Sequence, residues 1–203
     1  MNSAKNTNPD TQQRIVDATV RCVKKWGIAK VTLNDIAKEA GVTRPTVYSY
    51  FSNRDEVVQF AMLQSAYGFA QRLLKHIESY ESPEARTIEA VMYALKRLPN
   101  EPYLELMADA GLADIMNEHA LRVEEGNEIR RSIFRLIFRG LEVERDELDE
   151  IVEVTTRFVL SLLTLKSEKK RSDKEMREFL CRRLLPALGL NPSAAEVVTL
   201  VKG

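Results

Sequence analysis

The sequence predicts an all-α fold. Gly and Pro, the residues that most often interrupt helices, number only 8 and 7 among 203 residues. Apolar residues recur at steps of three and four along most of the chain, which places them on one face of a helix. Strong helix formers such as Ala, Leu, Glu, Lys and Arg are abundant. No apolar run approaches the roughly 20 residues of a membrane-spanning helix, so helices packed around their own apolar faces are expected.

The first predicted element is a helix from about Thr11 to Trp26. Residues 1–9 before it are polar and are expected to form a disordered arm. They contain no apolar signal region, which favours a cytoplasmic protein. Gly27 is expected to end the helix, whose apolar stripe consists of Ile15, Ala18, Thr19, Cys22, Val23 and Trp26.

A second and a third short helix are expected on either side of Gly41. Thr32 and Asp35 have the spacing of a capping box at the start of the second helix. Gly41 allows a sharp turn with positive φ. Thr43 is expected to cap the third helix, where Pro45 is tolerated because first-turn N–H groups need no partner within the helix.

The third helix has one apolar and one polar side. Val47 and Phe51 are expected to face the core, which leaves the opposite side outside. That side offers hydroxyls, aromatic rings and a guanidinium, which suit phosphate oxygens and base edges. Two helices joined by a Gly turn and preceded by a stabilising helix form a helix-turn-helix, although such helices also occur in proteins that bind no DNA. The residues left outside are Arg44, Thr46, Tyr48, Ser49 and Tyr50.

Charge is unevenly distributed along a chain whose formal net charge is zero. Residues 1–55 hold 9 Lys and Arg against 5 Asp and Glu, a net of +4, and the remainder carries −4. A basic first quarter on a slightly acidic body indicates that an anionic partner meets the N-terminal end.

Residues of about 11–60 resemble the DNA-binding domain of the tetracycline-repressor (TetR) family. The resemblance rests on "RIVDATVRCVKKWGIAKVTLNDIAKEAGVTRPTVYSYFSNRDEV", and above all on its pattern T-x-x-x-I-A-x-x-A-G-V-T-x-x-T-V-Y-x-Y-F-x-x-R/K-x-E. It covers about a quarter of the chain. It implies an N-terminal three-helix helix-turn-helix head on a larger helical domain that dimerises and binds a small effector. The expected domains are residues 1–9, 10–55 and 56–203.

The resemblance also implies roles for individual residues. Two cap hydroxyls and one cation are expected on backbone phosphates, from Thr32, Thr43 and Arg54. Two aromatic residues are expected on the sugar-phosphate strand, Tyr48 and Tyr50. The residues expected to face the major groove are Arg44, Pro45, Thr46 and Ser49; an arginine can bind guanine with two hydrogen bonds, and Pro45 can contact a thymine methyl group.

The last two long predicted helices, about 146–166 and 172–188, have unusually wide apolar faces. A helix that buries one face needs a stripe of only about 100°. Wide faces suit a symmetric four-helix interface between two copies, although both helices can equally be buried within one chain. We favour a homodimer because one recognition helix reads few base pairs, and a dimer places two of them about 34–36 Å apart on a palindromic operator. The tail, residues 191–203, has a capping box from Ser193 to Glu196 and is either a short docked helix or a frayed end.

A small-molecule effector is expected in the C-terminal domain. Met- and aromatic-rich interiors adapt to apolar or amphipathic ligands, although the same composition fills ordinary cores. No cofactor and no metal are expected: Cys22 and Cys181 lack metal-type spacing and fit reduced, packed thiols. The candidate ligand-binding residues are Met92, Tyr93, Tyr103, Met107, Phe134 and Phe138.

Among three classes of function, the sequence favours a regulator that binds DNA, most simply a repressor. It shows no Ser-His-Asp set, HExxH, CxxC pair or Gly-rich phosphate loop, which argues against an enzyme. A helical protein-interaction module without operator binding is the alternative, and steep salt dependence of binding distinguishes phosphate recognition from it.

Overall fold

The computed structural model describes residues 8–101, 120–165 and 170–202, and the prediction of an all-α fold is confirmed there. No helix within these ranges is both long and apolar enough to span a bilayer. The helices are α1 (Pro9–Trp26), α2 (Leu33–Ala40), α3 (Arg44–Tyr50), α4 (Arg54–Ile77), α5 (Pro83–Arg97), α6 (Ala120–Ile137), α7 (Arg145–Thr164), α8 (Asp173–Ala187) and α9 (Ala194–Lys202), with a 3-10 turn at Leu98–Asn100.

The chain divides into two compact units. Among the described residues, unit 1 comprises 8–68 and Glu101, and unit 2 comprises 69–100, 120–165 and 170–202. Unit 1 therefore includes the first part of α4, beyond the 10–55 range expected for the head. The helix expected at about 103–110, and the first part of the one expected at about 112–139, lie outside the described residues.

Unit 1 is built around an apolar core shared by α1, α2, α3 and the start of α4. Ile15, Ile36 and Val47 have no exposed surface, and Phe51 is 3% exposed. The predicted inward orientation of Val47 and Phe51 is thus confirmed. Full burial of such side chains stabilises a fold by about 1.5–3 kcal/mol each, which fixes which side of α3 faces outward.

The turn between α2 and α3 follows the predicted chemistry. Thr32 and Asp35 form a capping box at the start of α2, and the Thr43 side chain caps α3. Gly41 has φ +64°, in the left-handed region, so a side chain at this position would be strained. Asn53 accepts the Glu56 N–H at 2.8 Å and caps α4.

Helix α1 begins earlier than the sequence indicated. Pro9 is its first residue, and the Asn8 side chain caps it by accepting the Asp10 N–H at 3.0 Å. Residues 8 and 9, expected in the polar arm, therefore belong to the helix start. Pro is favourable at the first helical position because its missing N–H would have had no partner.

Unit 2 has α5 at its centre. This helix packs against α6, α7, α8 and α9, and its Ile88 is completely buried, as are Leu180 and Leu184 of α8. The wide apolar face of α8 is largely buried within the chain, in agreement with the alternative to a dimer interface. The tail forms α9, which Ser193 caps at Glu196 and which buries Leu200, so it is a docked helix.

One buried cation joins two parts of unit 2. Arg86 on α5 is 3% exposed. Its guanidinium donates to the carbonyls of Tyr80 at 2.8 Å, Glu81 at 2.8 Å and Ile137 at 3.1 Å. Burial and then the neighbouring Arg139 lower its pKa. It thereby connects the turn before α5 to the end of α6, where unpaired helix carbonyls accept cationic donors favourably.

Candidate nucleic-acid interface

The outer side of α3 is a polar surface opposite its buried residue Val47. Arg44, Pro45, Tyr48 and Ser49 are exposed, and Tyr48 is 41% exposed. Four of the residues that the sequence placed outside or toward a groove therefore lie together on one accessible face. Guanidinium, hydroxyl and aromatic groups of this kind recognise phosphates and base edges.

Arg44 and Tyr48 contact each other on this face. Arg44 Nη2 donates to Tyr48 Oη at 3.1 Å, and the guanidinium carbon lies 5.4 Å from the centre of the tyrosine ring. The two residues are four apart on α3, the spacing that brings helical side chains together. The guanidinium is thus held along the exposed side of the helix.

The small hydroxyls of α3 are hydrogen-bonded locally. The Thr46 N–H donates to Thr43 Oγ1 at 3.3 Å, and the two threonine hydroxyls lie 2.8 Å apart. Ser49 Oγ donates to the Thr46 carbonyl at 2.7 Å. Thr46 is half-buried, so it is less available than the sequence indicated. The caps hold these side chains in fixed positions at the start of the helix.

Tyr50 has a structural contact that the sequence did not indicate. It is half-buried, and its hydroxyl accepts the Asn8 N–H at 3.0 Å and donates to the Asn8 carbonyl at 3.3 Å. The predicted exposure of Tyr50 is therefore only partial. Its hydroxyl fastens the start of α1 to the end of α3, and its predicted contact with a sugar-phosphate strand stays a prediction.

Arg54 faces the loop between α1 and α2. Its Nε donates to the Val31 carbonyl at 2.9 Å, Nη2 donates to the Ile28 carbonyl, and Nη1 pairs with Asp55 at 2.7 Å. The expected phosphate contact stays a prediction, but each nitrogen of the guanidinium already has a partner. Arg54 joins α4 to the loop that precedes the helix-turn-helix.

Thr32 sits at the N-terminus of α2 and shares its hydrogen bonds with Asp35. Its N–H and hydroxyl donate to the carboxylate at 3.0 and 2.6 Å, and Thr32 Oγ1 accepts the Asp35 N–H at 3.2 Å. Donation from the Thr32 side chain and then from its backbone lowers the pKa of Asp35 below 3.8. A lowered folded-state pKa means that the ionised carboxylate stabilises the folded unit.

This capping box predicts a pH-dependent stability difference. Asp35→Ala is expected to lower the free energy of unfolding at neutral pH because the charged cap is lost. The difference from the wild type should hold above the unfolded-state pKa of 3.8 and shrink as the pH falls through the lower folded-state value. Urea unfolding at pH 7, 5, 4 and 3 measures it. Asn34→Ala, an uncharged exposed neighbour, is the control; a pH-independent Asp35 effect would contradict the prediction.

Three further residues brace the interface and were missed from the sequence. Arg14 Nη2 donates to the Ala40 carbonyl at 2.8 Å, at the end of α2. Gln13 on α1 and Gln64 on α4 exchange two amide hydrogen bonds of 3.0 and 2.8 Å. Their partners are 26 and 51 residues away, so no local pattern in the sequence could have identified them.

The predicted ligand-binding residues fall in different settings. Met92, Phe134 and Phe138 are buried in unit 2, whereas Tyr103 and Met107 lie outside the described residues. Tyr93 is half-buried, and its ring centre lies 4.9 Å from that of His76 and 5.7 Å from that of Phe69.

A buried ionic cluster lies beside Tyr93. The Glu89 carboxylate, 8% exposed, pairs with Arg177 and lies 3.5 Å from His76 Nε2. Burial and then Glu89 raise the pKa of Tyr80. His76 thus contacts this cluster. In the described part of the chain, no group of three or more His, Cys, Asp or Glu is arranged to bind a metal ion.

Both cysteines are buried and reduced, as expected from the sequence. Burial, followed by the charges of Glu39 and Asp35, raises the pKa of Cys22 to about 11. Burial also raises the pKa of Cys181. Both are therefore thiols at neutral pH, and thiols rather than thiolates are poor nucleophiles and poor metal ligands.

Comparison with known proteins agrees with the arrangement of α1–α4. Residues 15–60 match the family described as bacterial regulatory proteins, tetR family. The regulator TtgR of Pseudomonas putida is 34% identical over 101 residues, which cover 50% of this chain and 45% of TtgR. The chain spans about half the length of the curated relatives that it matches.

Solved structures extend the similarity along the chain. The multidrug binding protein EbrR complexed with ethidium is 25% identical, with a TM-score of 0.63 over 87% of this chain and 99% of EbrR. The TetR family repressor AlkX from a Dietzia species shares the fold, with a TM-score of 0.62, 21% identity and coverage of 92% of this chain and 98% of AlkX. These relatives are regulators or ligand-binding proteins rather than enzymes, in agreement with the sequence expectation. Residues 15–60 therefore resemble the tetR family of bacterial regulatory proteins, and the chain shares the fold of EbrR and AlkX.

Proposed function

We propose that this protein is a sequence-specific, DNA-binding transcriptional repressor of the cytoplasm. It acts as a homodimer, and a small apolar or amphipathic effector bound in unit 2 changes its affinity for a palindromic operator. One observation carries the DNA-binding part: Val47 is fully buried while Arg44, Tyr48 and Ser49 share the exposed side of the same helix. That orientation leaves a reading surface free to enter a major groove.

Phosphate contacts would surround the reading surface. Thr32 and Thr43 cap the N-termini of α2 and α3 in unit 1. Helix N-termini favour anions, and the two hydroxyls lie beside them. The net charge of +4 in residues 1–55 adds attraction to a polyanion. These contacts would set position on the duplex, while the α3 side chains read the bases.

The proposal is tested by selecting duplexes from a random-sequence pool with the purified full-length protein. Enrichment of a palindrome whose half-sites lie one helical turn apart is expected. Its affinity should fall with salt at a slope of about −0.9 per phosphate contacted. Absence of any enriched sequence, or binding that ignores salt, would exclude operator recognition and favour the protein-interaction alternative.

The dimer part of the proposal rests on an apolar stripe along α7. Val154 is 40% exposed and Leu165 is 68% exposed, and the half-buried Phe158 and Leu162 lie between them at helical spacing. The ring of Phe158 stacks on that of Phe179 of α8, with centres 5.7 Å apart. A second copy of the chain would cover this stripe by applying the same surface to itself.

Two substitutions test whether this stripe, rather than another exposed apolar surface, forms the dimer interface. Val154→Asp is expected to convert the dimer to monomer, because two-fold symmetry would bury two unpaired carboxylates in the interface. Val198→Asp is the matched control, since Val198 is 53% exposed on α9. Sedimentation velocity at micromolar concentration measures the mass. A dimeric Val154→Asp variant would show that this stripe is not the interface.

Two observations support an effector site in unit 2: the buried hydroxyl of Thr155 and the similarity to EbrR. Thr155 on α7 is 6% exposed, and its Oγ1 has no hydrogen-bond partner among the described residues. A buried unpaired hydroxyl costs about 1–3 kcal/mol, which a ligand donor or acceptor would recover. EbrR, 25% identical, is a multidrug binding protein solved with ethidium, which supports screening aromatic compounds first.

Thr155→Val tests this hydroxyl because the two side chains have nearly the same shape. The substitution is expected to raise the free energy of unfolding by about 1 kcal/mol and to weaken the effect of an active compound on operator binding. Thr87→Val is the matched control: Thr87 is 1% exposed, but its hydroxyl donates to the Pro83 carbonyl at 2.7 Å, so its loss should destabilise. Equal losses of stability in both variants would show that Thr155 is satisfied within the chain.

A further inference from the structure

The contact between Arg44 and Tyr48 gives Tyr48 a role that the family resemblance does not imply. The resemblance places Tyr48 on the sugar-phosphate strand as an independent contact. In the structure, the Tyr48 hydroxyl instead accepts a hydrogen bond from Arg44 Nη2 at 3.1 Å. Its ring also lies beneath the guanidinium at 5.4 Å. Both groups of the tyrosine are thus directed at the arginine.

The contact leaves the guanidinium able to bind a base. Arginine carries five N–H donors in a rigid plane, and the bond to Tyr48 uses one nitrogen, Nη2. Among the described residues Arg44 has no carboxylate partner that would have to be displaced. Two donors in a fixed plane match the two acceptors that guanine presents in the major groove.

The pair also reduces the freedom that Arg44 would lose on binding. A free arginine side chain carries about 2 kcal/mol of rotamer entropy, and Arg44 is exposed at the first position of a helix. The tyrosine is more rigid because it has only two side-chain torsions, and it offers a flat ring on which the guanidinium rests. Holding the guanidinium in one orientation lowers the entropic cost of binding a base whose acceptors fit that orientation.

We infer that Tyr48 is a positioning residue that holds Arg44 in the orientation that reads one base pair. Its contribution is therefore to base preference rather than to general affinity for DNA. The inference rests on the proposed function, because it requires an operator. A tyrosine that contacts phosphate independently would instead strengthen binding to every duplex equally.

A double-mutant cycle on the full-length protein distinguishes the two roles. The probes are the duplex enriched by the wild type, single-base variants of it, and a random duplex of the same length. Arg44→Ala first identifies the base pair whose preference depends on Arg44. Tyr48→Phe keeps the ring and removes the hydroxyl, Tyr48→Leu removes both, and circular dichroism checks that each variant is folded.

Tyr48→Phe and Tyr48→Leu are expected to lower the preference at that base pair by about twofold to tenfold, in increasing order. Affinity for the random duplex and its salt slope should stay unchanged, and neither substitution should matter in the Arg44→Ala background. Equal weakening on all duplexes, additivity with Arg44→Ala, or no base pair dependent on Arg44 would overturn the inference. If the wild type enriches no duplex, the proposed function itself fails; if it does and Tyr48→Leu keeps full preference, only the inference fails.

Discussion

Arg86→Ala is expected to lower the free energy of unfolding by about 3 kcal/mol, because a hydrogen-bond network loses its charged donor. The guanidinium of Arg86 donates to carbonyls on two separate segments, Tyr80–Glu81 and Leu136–Arg139. Without it the buried Ile137 carbonyl and the partly buried carbonyls around it lose their donor, and a buried acceptor left unpaired costs about 1–3 kcal/mol. Urea unfolding followed by circular dichroism measures the change.

Two further variants, Arg86→Lys and Arg157→Ala, are compared with Arg86→Ala. Arg86→Lys keeps the charge but not the planar fork, so most of the loss should remain. Arg157→Ala is the matched control: its side chain is 75% exposed and pairs with Glu153 on the same helix, and it should change stability by less than about 0.5 kcal/mol. A small effect of Arg86→Ala would mean that water replaces the guanidinium at these carbonyls.

Arg44→Ala is expected to weaken binding to the selected operator by about 1–3 kcal/mol per half-site, or about 5- to 150-fold. The reason is the loss of the proposed contact to base edges. Affinity for a random duplex should change much less. Arg44 is exposed and its partner in the chain is Tyr48, so the variant should fold normally. Titration of fluorescent duplexes at fixed salt measures both affinities.

The matched control for Arg44 is Arg182→Ala on α8. Its side chain is 61% exposed and pairs with Glu178, so it removes the same charge from a part of the chain outside unit 1. It should leave both affinities unchanged. Equal weakening by Arg44→Ala on operator and random duplexes would assign Arg44 to phosphate rather than to bases.

The position and orientation of α3 could be predicted because they depend on residues that are neighbours in the sequence. The Thr32–Asp35 cap, the left-handed Gly41 and the Thr43 cap are all made by residues within a few positions of one another. The burial of Val47 follows from helical periodicity, which assigns its face once the helix is placed. Local chemistry of this kind leaves a clear pattern in a single sequence.

The surroundings of that helix were not predictable in the same way. Tyr50 was expected outside but is fastened to Asn8, 42 positions away. The bonds from Arg54 to the carbonyls of Val31 and Ile28, 23 and 26 positions away, were not expected, and its phosphate contact stays a prediction. A guanidinium or a phenol looks the same in sequence whether it meets DNA or a carbonyl of its own chain, because either acceptor satisfies it.

The class of fold, the helix caps, the turn and the exposed side of α3 could all be predicted from the sequence, because each depends on propensities and spacings within one or two helical turns. Packing alone showed that Arg54, Tyr50 and Arg86 make hydrogen bonds to distant parts of the chain. It also showed that the buried hydroxyl of Thr155 lacks a partner among the described residues. Those outcomes depend on contacts between helices distant in sequence, where packing brings a donor to whichever acceptor lies within about 3 Å.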